Sequence, residues 1–261
     1  LYTGMYQMNH RVLTNGTPID RRFDNVAWLA RRAGFTPTLF GYTDQAIDPR
    51  DTDNADDPRL STYEGVLPGF DCQLFIPEPF ELWVNYLRAH GFDVPMNTYQ
   101  ALSTEPERPA EFSIGAFLAD HVCDWLRKQD GSWFAHASFL RPHPPYAAAG
   151  KWSKEYDPAD VPMPIEPSAT RHPFHEAVLH MPQTAGPTDE AGKRNMRAQY
   201  YGMVSEVDSQ VGRIFDTLDE LGMLDNTMII VTADHADQLG DQGLRDKVGY
   251  FDTLFLLACK P

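Results

Sequence analysis

The chain has 261 residues, of which 42% are hydrophobic and 12% aromatic, so it can bury a core of its own and is not a disordered polypeptide. Its 37 acidic residues outnumber the 22 basic ones and give a formal net charge of −15. This balance argues against a nucleic acid partner, because phosphate binding needs a clustered basic surface. The cysteines at positions 72, 123 and 259 are widely spaced, so we expect neither a disulfide framework nor a zinc cluster, and a reducing compartment fits best.

The start of the chain predicts helix, glycine and strand in that order. Residues 1–11 have the small and aromatic side chains of the end of a helix. Asp24 is the expected N-cap of a second helix, which carries arginines in its last turn and ends at Gly34. A strand over residues 36–42 follows. Helix, glycine and strand together make half of a βαβ repeat.

An acidic segment follows this strand, with six aspartates between positions 44 and 57. It lacks the turn glycine and the terminal glutamate of a calcium-binding EF-hand loop, so we interpret it as a solvated loop. Further on, residues 81–91 predict a short helix ended by a glycine. Residues 115–128 predict an amphipathic helix.

Residues 133–140 predict a strand that runs directly into Arg141-Pro142-His143-Pro144-Pro145. The prolines stiffen the backbone and present His143 beyond the carboxyl end of the strand, where the reactive crevice of an open α/β sheet lies. A histidine that merely packs in a proline-rich turn is the competing interpretation. Ten of the 21 prolines lie between positions 142 and 187. We therefore expect a surface excursion or a lid at about 142–194, with solvated histidines at 172, 175 and 180.

Residues 195–221 form the clearest predicted helix, with apolar side chains recurring at spacings of three and four. They lead into residues 228–231, an apolar run typical of a strand buried on both faces of a parallel sheet. Asp234 and His235 follow, and Lys247 lies twelve residues after His235. An acidic oxygen beside a neutral imidazole suits a divalent cation, and a lysine would bring positive charge to an anionic substrate. A hydrogen-bonded surface pair of Asp234 and His235 is the competing interpretation.

The run ADHADQLGDQGLRDKVGY closely resembles the Asp-His-Gly segment of the sulfatase branch of the alkaline phosphatase superfamily. Its phosphonate monoester hydrolase and phosphodiesterase members are similar over nearly the full length, in the order LYTGMYQMNHR, TNGTPID, LFGYTD, SFLRPHPPY and YYGMVSEVDSQVGRIFDTLDELG. The first of these resembles the helix that follows the family's nucleophile motif, C-x-P-x-R, whose cysteine is converted to formylglycine.

The resemblance implies a metal-dependent hydrolase of sulfate, phosphonate or phosphate esters. By similarity, Asp234 and His235 would be ligands of one divalent metal ion, which could be calcium, manganese, magnesium or zinc. His143 and Lys247 would be the catalytic residues that contact the anion or the leaving group.

The resemblance also implies a substrate pocket lined by Asn15 and Tyr42. The formylglycine and further metal ligands are expected upstream of Leu1, so we expect a fragment that is inactive by itself. The sequence departs from the family at Ala236, which replaces a glycine, and at Asp44, where a hydroxyl residue is more frequent. Gln242 likewise stands where a histidine is frequent.

Two alternatives stay open. One is a hydrolase of the phosphatase branches with a serine or threonine nucleophile, which the residues upstream of Leu1 would decide. The other is a catalytically inactive sulfatase-like module that binds anions or partners. The missing nucleophile and Ala236 motivate this second alternative.

We expect an α/β fold with a mostly parallel sheet flanked by helices, alkaline phosphatase-like and incomplete at both ends, since the last residues, FDTLFLLACKP, predict a strand just being entered. A single partial catalytic domain would span residues 1–261. The expected partner is a small anionic ester, with no nucleic acid and no membrane, because no run of about 18 apolar residues and no signal peptide are present. A cytoplasmic location is expected, and a homo-oligomer is compatible with the sequence.

Overall fold

The computed structural model describes residues 1–95, 97–249 and 251. These residues fall into two units. The first contains Leu1–Ala101, Ile114–Leu140 and Arg213–Leu221, and the second contains Leu102–Ser113, Arg141–Gly212 and Gly222–Pro261. The strand predicted at the end of the chain lies, apart from Phe251, outside the described residues. The single partial domain predicted over 1–261 stays a prediction.

A three-stranded parallel sheet organises the first unit, in the order β2, β1, β3. The strands are β1 Pro37–Phe40, β2 Asp71–Leu74 and β3 Phe134–Ala137. The central strand β1 is buried along its whole length, and its Leu39 lies in register with His136 of β3. β1 and β3 lie inside the predicted strands, whereas β2 was not predicted because it is short and mostly exposed. The parallel α/β class is confirmed.

The described α-helices vary from one to nearly nine turns. They are α1 Gln7–His10, α2 Val26–Arg32, α3 Glu81–Ala89, α4 Thr98–Ser103, α5 Ile114–Leu126, α6 Pro173–Leu179 and α7 Glu190–Glu220. Short 3-10 helices lie at Pro49–Asp51, Pro58–Leu60, Glu105–Glu107, Ala110–Phe112, Gly150–Lys154, Leu224–Asn226 and Asp241–Gly243. The predicted helices near 81–91, 115–128 and 195–221 are thereby confirmed. None of the helices in the described ranges is long and apolar enough to cross a membrane.

The N-cap of α2 is Asn25 and not the predicted Asp24. The side-chain oxygen of Asn25 accepts hydrogen bonds from the backbone N–H groups of Ala27 and Trp28, at 2.9 and 3.1 Å. Asp24 instead forms an ion pair with Arg32 in the last turn of the helix. Asparagine and aspartate cap helices equally well, so the sequence could not distinguish two adjacent candidates.

The prediction of a buried strand at residues 228–231 is wrong. No residue of this run pairs with a strand in the described part of the chain. Its side chains are largely exposed, with 88% exposure for Met228 and 78% for Ile230. A strand is stable only where a neighbouring strand satisfies its backbone N–H and C=O groups. The apolar pattern indicated the tendency to be buried but could not supply that neighbour.

The proline-rich segment at about 142–194 contains α6, the 3-10 helix Gly150–Lys154 and the first turn of α7, joined by irregular backbone. His180 is exposed as predicted, and the His172 ring caps α6 by accepting the backbone N–H of Phe174 at 3.2 Å. His175 is buried, contrary to the prediction, and its ring stacks on Phe251 at a centroid distance of 4.1 Å. Whether the segment acts as a lid stays a prediction.

Candidate active site

His143 and Lys247 lie next to each other in the second unit although 104 residues separate them in sequence. The Lys247 Nζ atom is 3.2 Å from His143 Nε2, and His143 Nδ1 is 2.9 Å from the Pro144 carbonyl oxygen. A ring nitrogen must carry a proton to bond a carbonyl oxygen, so the proton is on Nδ1. His143 Nε2 therefore presents its lone pair to the Lys247 ammonium group.

The backbone around His143 is held from inside the unit by Arg141. The Arg141 guanidinium donates to the carbonyl oxygens of His143 at 2.9 Å, Pro145 at 2.8 Å and Ala147 at 3.3 Å. Its Nε donates to Glu105 at 2.9 Å, and the side chains of this ion pair are each only 1% exposed. A buried guanidinium with this many partners fixes the loop that carries His143. No sequence pattern singles out Glu105, because its pairing with Arg141 depends on the fold.

Asp234 and His235 form a local pair. The His235 Nε2 atom lies 3.4 Å from an Asp234 carboxylate oxygen, and the His235 backbone N–H donates to the other at 3.0 Å. His235 Nδ1 donates to the Ala236 carbonyl oxygen at 2.8 Å, so the lone pair of the neutral ring is on Nε2. The Asp234 side chain is 69% exposed. A carboxylate and a lone-pair nitrogen are thus both accessible to a ligand.

These two side chains have the chemistry of metal ligands but do not complete a metal site. A protein-bound divalent cation takes roughly four to eight ligands. Among the described residues, no group of three or more His, Cys, Asp or Glu side chains could hold a metal ion. The described part of the chain therefore offers a fraction of a coordination shell.

A partly buried hydrogen-bond network joins the loop that carries His143 to the segment that carries Asp234, His235 and Lys247. The Tyr146 hydroxyl donates to Asp237 Oδ2 at 2.9 Å and accepts the backbone N–H of Asp246 at 3.1 Å. Burial and then the Asp237 charge raise the pKa of Tyr146, and burial raises the pKa of the Asp237 carboxyl. Neither Tyr146 nor Asp237 was predicted as a site residue, although they lie inside the motifs SFLRPHPPY and ADHADQLGDQGLRDKVGY.

The predicted substrate residues Asn15 and Tyr42 belong to the first unit. Asn15 Nδ2 donates to Asp44 Oδ2 at 3.1 Å. Tyr42 hydrogen-bonds Glu64, and burial followed by the Glu64 charge raises the pKa of its hydroxyl. Gly41 precedes Tyr42 at φ 102°, where an added Cβ would lie 2.6 Å from the Ser138 carbonyl oxygen. Asn15 and Tyr42 are therefore held in a locally acidic environment, and the buried Glu64 is a residue that sequence reasoning missed.

Comparison with known protein families identifies the family of this chain. The Sulfatase family model matches residues 1–254. The chain belongs to the sulfatase family. The resemblance found in the motifs is thereby confirmed. Members of the sulfatase family generally use a divalent metal ion.

Within the sulfatase family, the chain is similar to phosphonate monoester hydrolases. It is 34% identical over 278 residues to the multifunctional alkaline phosphatase superfamily protein PehA of Trinickia caryophylli, covering 96% of this chain and 54% of that protein. The crystal structure of the phosphonate monoester hydrolase of Agrobacterium radiobacter matches with a TM-score of 0.85 and 39% identity, covering 97% of this chain and 55% of that one.

A second solved relative agrees. The phosphonate monoester hydrolase SpPMH from Silicibacter pomeroyi matches with a TM-score of 0.84 and 35% identity, covering 97% of this chain and 55% of that chain. These sulfatase-family homologues are ester hydrolases. The chain spans about half the length of the relatives that it matches.

Proposed function

We propose that this chain carries the leaving-group side of the active site of a metal-dependent hydrolase of sulfate, phosphonate or phosphate esters. The observation that carries the proposal is the contact of 3.2 Å between Lys247 Nζ and His143 Nε2. Two nitrogens that share one proton, one of them cationic, suit a reaction that releases an oxyanion from an anionic ester.

In this reaction a nucleophile attacks sulfur or phosphorus in line, and the bond to the leaving oxygen breaks. An ammonium group has three N–H donors. One donor of Lys247 points at His143, and the others bind nonbridging oxygens of the substrate, where they offset its negative charge. The proton held between Lys247 Nζ and His143 Nε2 passes to the leaving oxygen, which departs as an alcohol. The Lys247 and His143 pair then regains this proton from solvent water.

Asn15 and Tyr42 are proposed to line the substrate pocket, and Asp234 and His235 are proposed as two ligands of the divalent metal ion. The described residues do not complete its shell, so no step of the reaction is assigned to the metal. No C-x-P-x-R segment occurs in the 261 residues. We therefore propose that the formylglycine nucleophile precedes Leu1 and that the 261-residue chain is inactive by itself. The cytoplasmic location and the homo-oligomer stay predictions.

The leaving-group dependence of hydrolysis tests the proposal. In the complete gene product, we expect His143→Ala to lower kcat/KM by about 10² or more for alkyl esters, whose leaving groups need a proton. Activated aryl sulfates, phosphonates and phosphodiesters should lose much less. His180→Ala is the matched control, since His180 is an exposed histidine of the same unit. Equal losses on alkyl and aryl esters would contradict the assignment.

An inactive binding module is the second candidate, favoured by the missing nucleophile motif. It would bind tetrahedral anions through Lys247 without turning them over. Binding of inorganic sulfate that Lys247→Met abolishes, together with no turnover of any ester by the complete protein, would establish it. A hydrolase with a serine or threonine nucleophile would instead turn over these esters without formylglycine formation, which mass spectrometry detects.

A further inference from the structure

The Tyr146 hydroxyl joins the loop of His143 to the segment of Lys247. It lies three residues after His143 and contacts Asp246, the residue directly before Lys247. The same hydroxyl donates to Asp237. One oxygen atom therefore makes two hydrogen bonds that connect the two halves of the His143 and Lys247 pair.

The contact with Asp246 acts on the backbone that directs Lys247. Asp246 has a left-handed conformation, with φ 61°, which is unfavourable for a residue with a side chain. Its backbone N–H is held by both the Tyr146 hydroxyl and Asp237 Oδ1, each at 3.1 Å. Its carboxylate then accepts the backbone N–H of Lys247 at 2.7 Å. Such a conformation persists only where surrounding contacts enforce it, and Tyr146 supplies one of them.

The other end of the link is rigid. Arg141 binds the carbonyl oxygens on both sides of Tyr146, those of Pro145 and Ala147. Tyr146 is therefore a fixed support from which the hydroxyl reaches the Lys247 segment. Its ring lies 6.5 Å from that of Tyr200, a packing contact that phenylalanine would keep.

We propose that Tyr146 is a positioning residue whose hydroxyl sets the separation of His143 and Lys247. The proposal rests on the proposed function for its catalytic meaning. In structural terms, the contact between Lys247 Nζ and His143 Nε2 depends on the Tyr146 hydroxyl. A displacement of about 1 Å of a catalytic group is enough to slow an enzyme roughly a hundredfold.

The test reads His143 directly and needs no turnover. In protein labelled with ¹⁵N-histidine, the signal of His143 is assigned from its loss in His143→Gln. Lys247→Met gives the Nε2 signal of a His143 without its ammonium partner. We expect Tyr146→Phe to move the His143 Nε2 signal most of the way to that position. The matched control is Tyr156→Phe, which removes a hydroxyl bonded to Ser205 at 2.8 Å on the exposed surface of the same unit, and it should keep the wild-type signal.

A wild-type His143 signal in Tyr146→Phe would overturn the proposal. Urea unfolding checks that Tyr146→Phe is folded. Asp237→Asn is a second variant. It replaces the Asp237 oxygen that accepts the Tyr146 hydroxyl and keeps an oxygen for the backbone N–H groups of Leu239 and Asp246. It should move the signal in the same direction. In the complete enzyme, Tyr146→Phe should cost roughly tenfold to a hundredfold in kcat on alkyl esters, with little further loss when added to Lys247→Met. A protein that hydrolyses no ester would refute the proposed function, while the His143 signal would still decide the role of Tyr146.

Discussion

Ser113 donates its hydroxyl proton to the buried carboxylate of Glu206 at 2.5 Å, across 93 residues of sequence. Glu206 lies on α7 and is 1% exposed. Burial, with a smaller contribution from the Glu105 charge, raises the pKa of this carboxyl to about 7, against the opposing effects of Ser113, Arg141 and Gln210. The Glu206 carboxyl in the core of the second unit therefore titrates near neutral pH.

Stability should consequently fall as pH rises. The unfolded chain releases the Glu206 proton near pH 4.5 and the folded protein near pH 7, so the folded state binds more protons between these values. This contribution of Glu206 to the free energy of unfolding is lost progressively over this window, by about 3 kcal/mol in total, and stays constant above it. Glu206→Gln should abolish this contribution and be more stable than wild type at pH 8. Urea unfolding at pH 5 and pH 8 measures it, with the exposed Glu220→Gln as control. Wild-type pH dependence in Glu206→Gln would contradict the expectation.

Arg141→Met should destabilise the protein strongly. It leaves the Glu105 carboxylate buried without its guanidinium partner, which typically costs about 3–5 kcal/mol. The double variant with Glu105→Leu should recover part of this loss, because it removes the buried negative charge. Urea unfolding of the single and double variants tests both statements. Arg127→Met is the control, since Arg127 and Asp124 form an exposed pair whose loss should change stability little.

Asp44→Thr should raise kcat/KM for more highly charged ester substrates. The Asp44 carboxylate binds Asn15 and would repel an anion held there. Removing one such charge should raise kcat/KM roughly threefold to tenfold for dianionic esters and less for monoanionic ones. High salt should shrink the difference. Steady-state kinetics of the complete protein measure it, and Asp53→Thr, an exposed aspartate of the same acidic segment, should change neither class of substrate.

The 261-residue chain should bind divalent metal ions weakly. Asp234 and His235 supply two donors, whereas a stable site needs roughly four or more. Calorimetric titration of the 261-residue chain with Mn²⁺ should therefore show a weak affinity that Asp234→Asn abolishes. Asp225→Asn serves as the control in the same unit. Tight binding by the 261-residue chain would show that the described side chains suffice.

Sequence patterns predicted the elements whose signal is local. α5 and α7 follow from a repeat of three and four residues, and β1 and β3 from short apolar runs after a helix or a turn. His143, Lys247, Asp234 and His235 were singled out because they follow predicted strands or match family motifs. The structure brings the members of each pair into contact.

The supporting residues could not be predicted because their partners are distant in sequence. Nothing in the local sequence of Glu105 indicates Arg141, and nothing around Ser113 indicates Glu206. Tyr146 is an ordinary aromatic in its own segment and becomes informative only through Asp237 and Asp246. The failure at residues 228–231 has the same origin, since burial of a strand depends on a neighbour that its own sequence does not specify.

The exposed run at residues 228–231 should also promote association between copies of the chain. Met228, Ile230 and Val231 show 88%, 78% and 68% exposure, and an exposed apolar run is a segment on which another chain can add a strand. Concentrated solutions of the 261-residue chain should therefore form sheet-rich assemblies through this run. A lysine at position 230 would place a charge in every such junction and keep the chains apart.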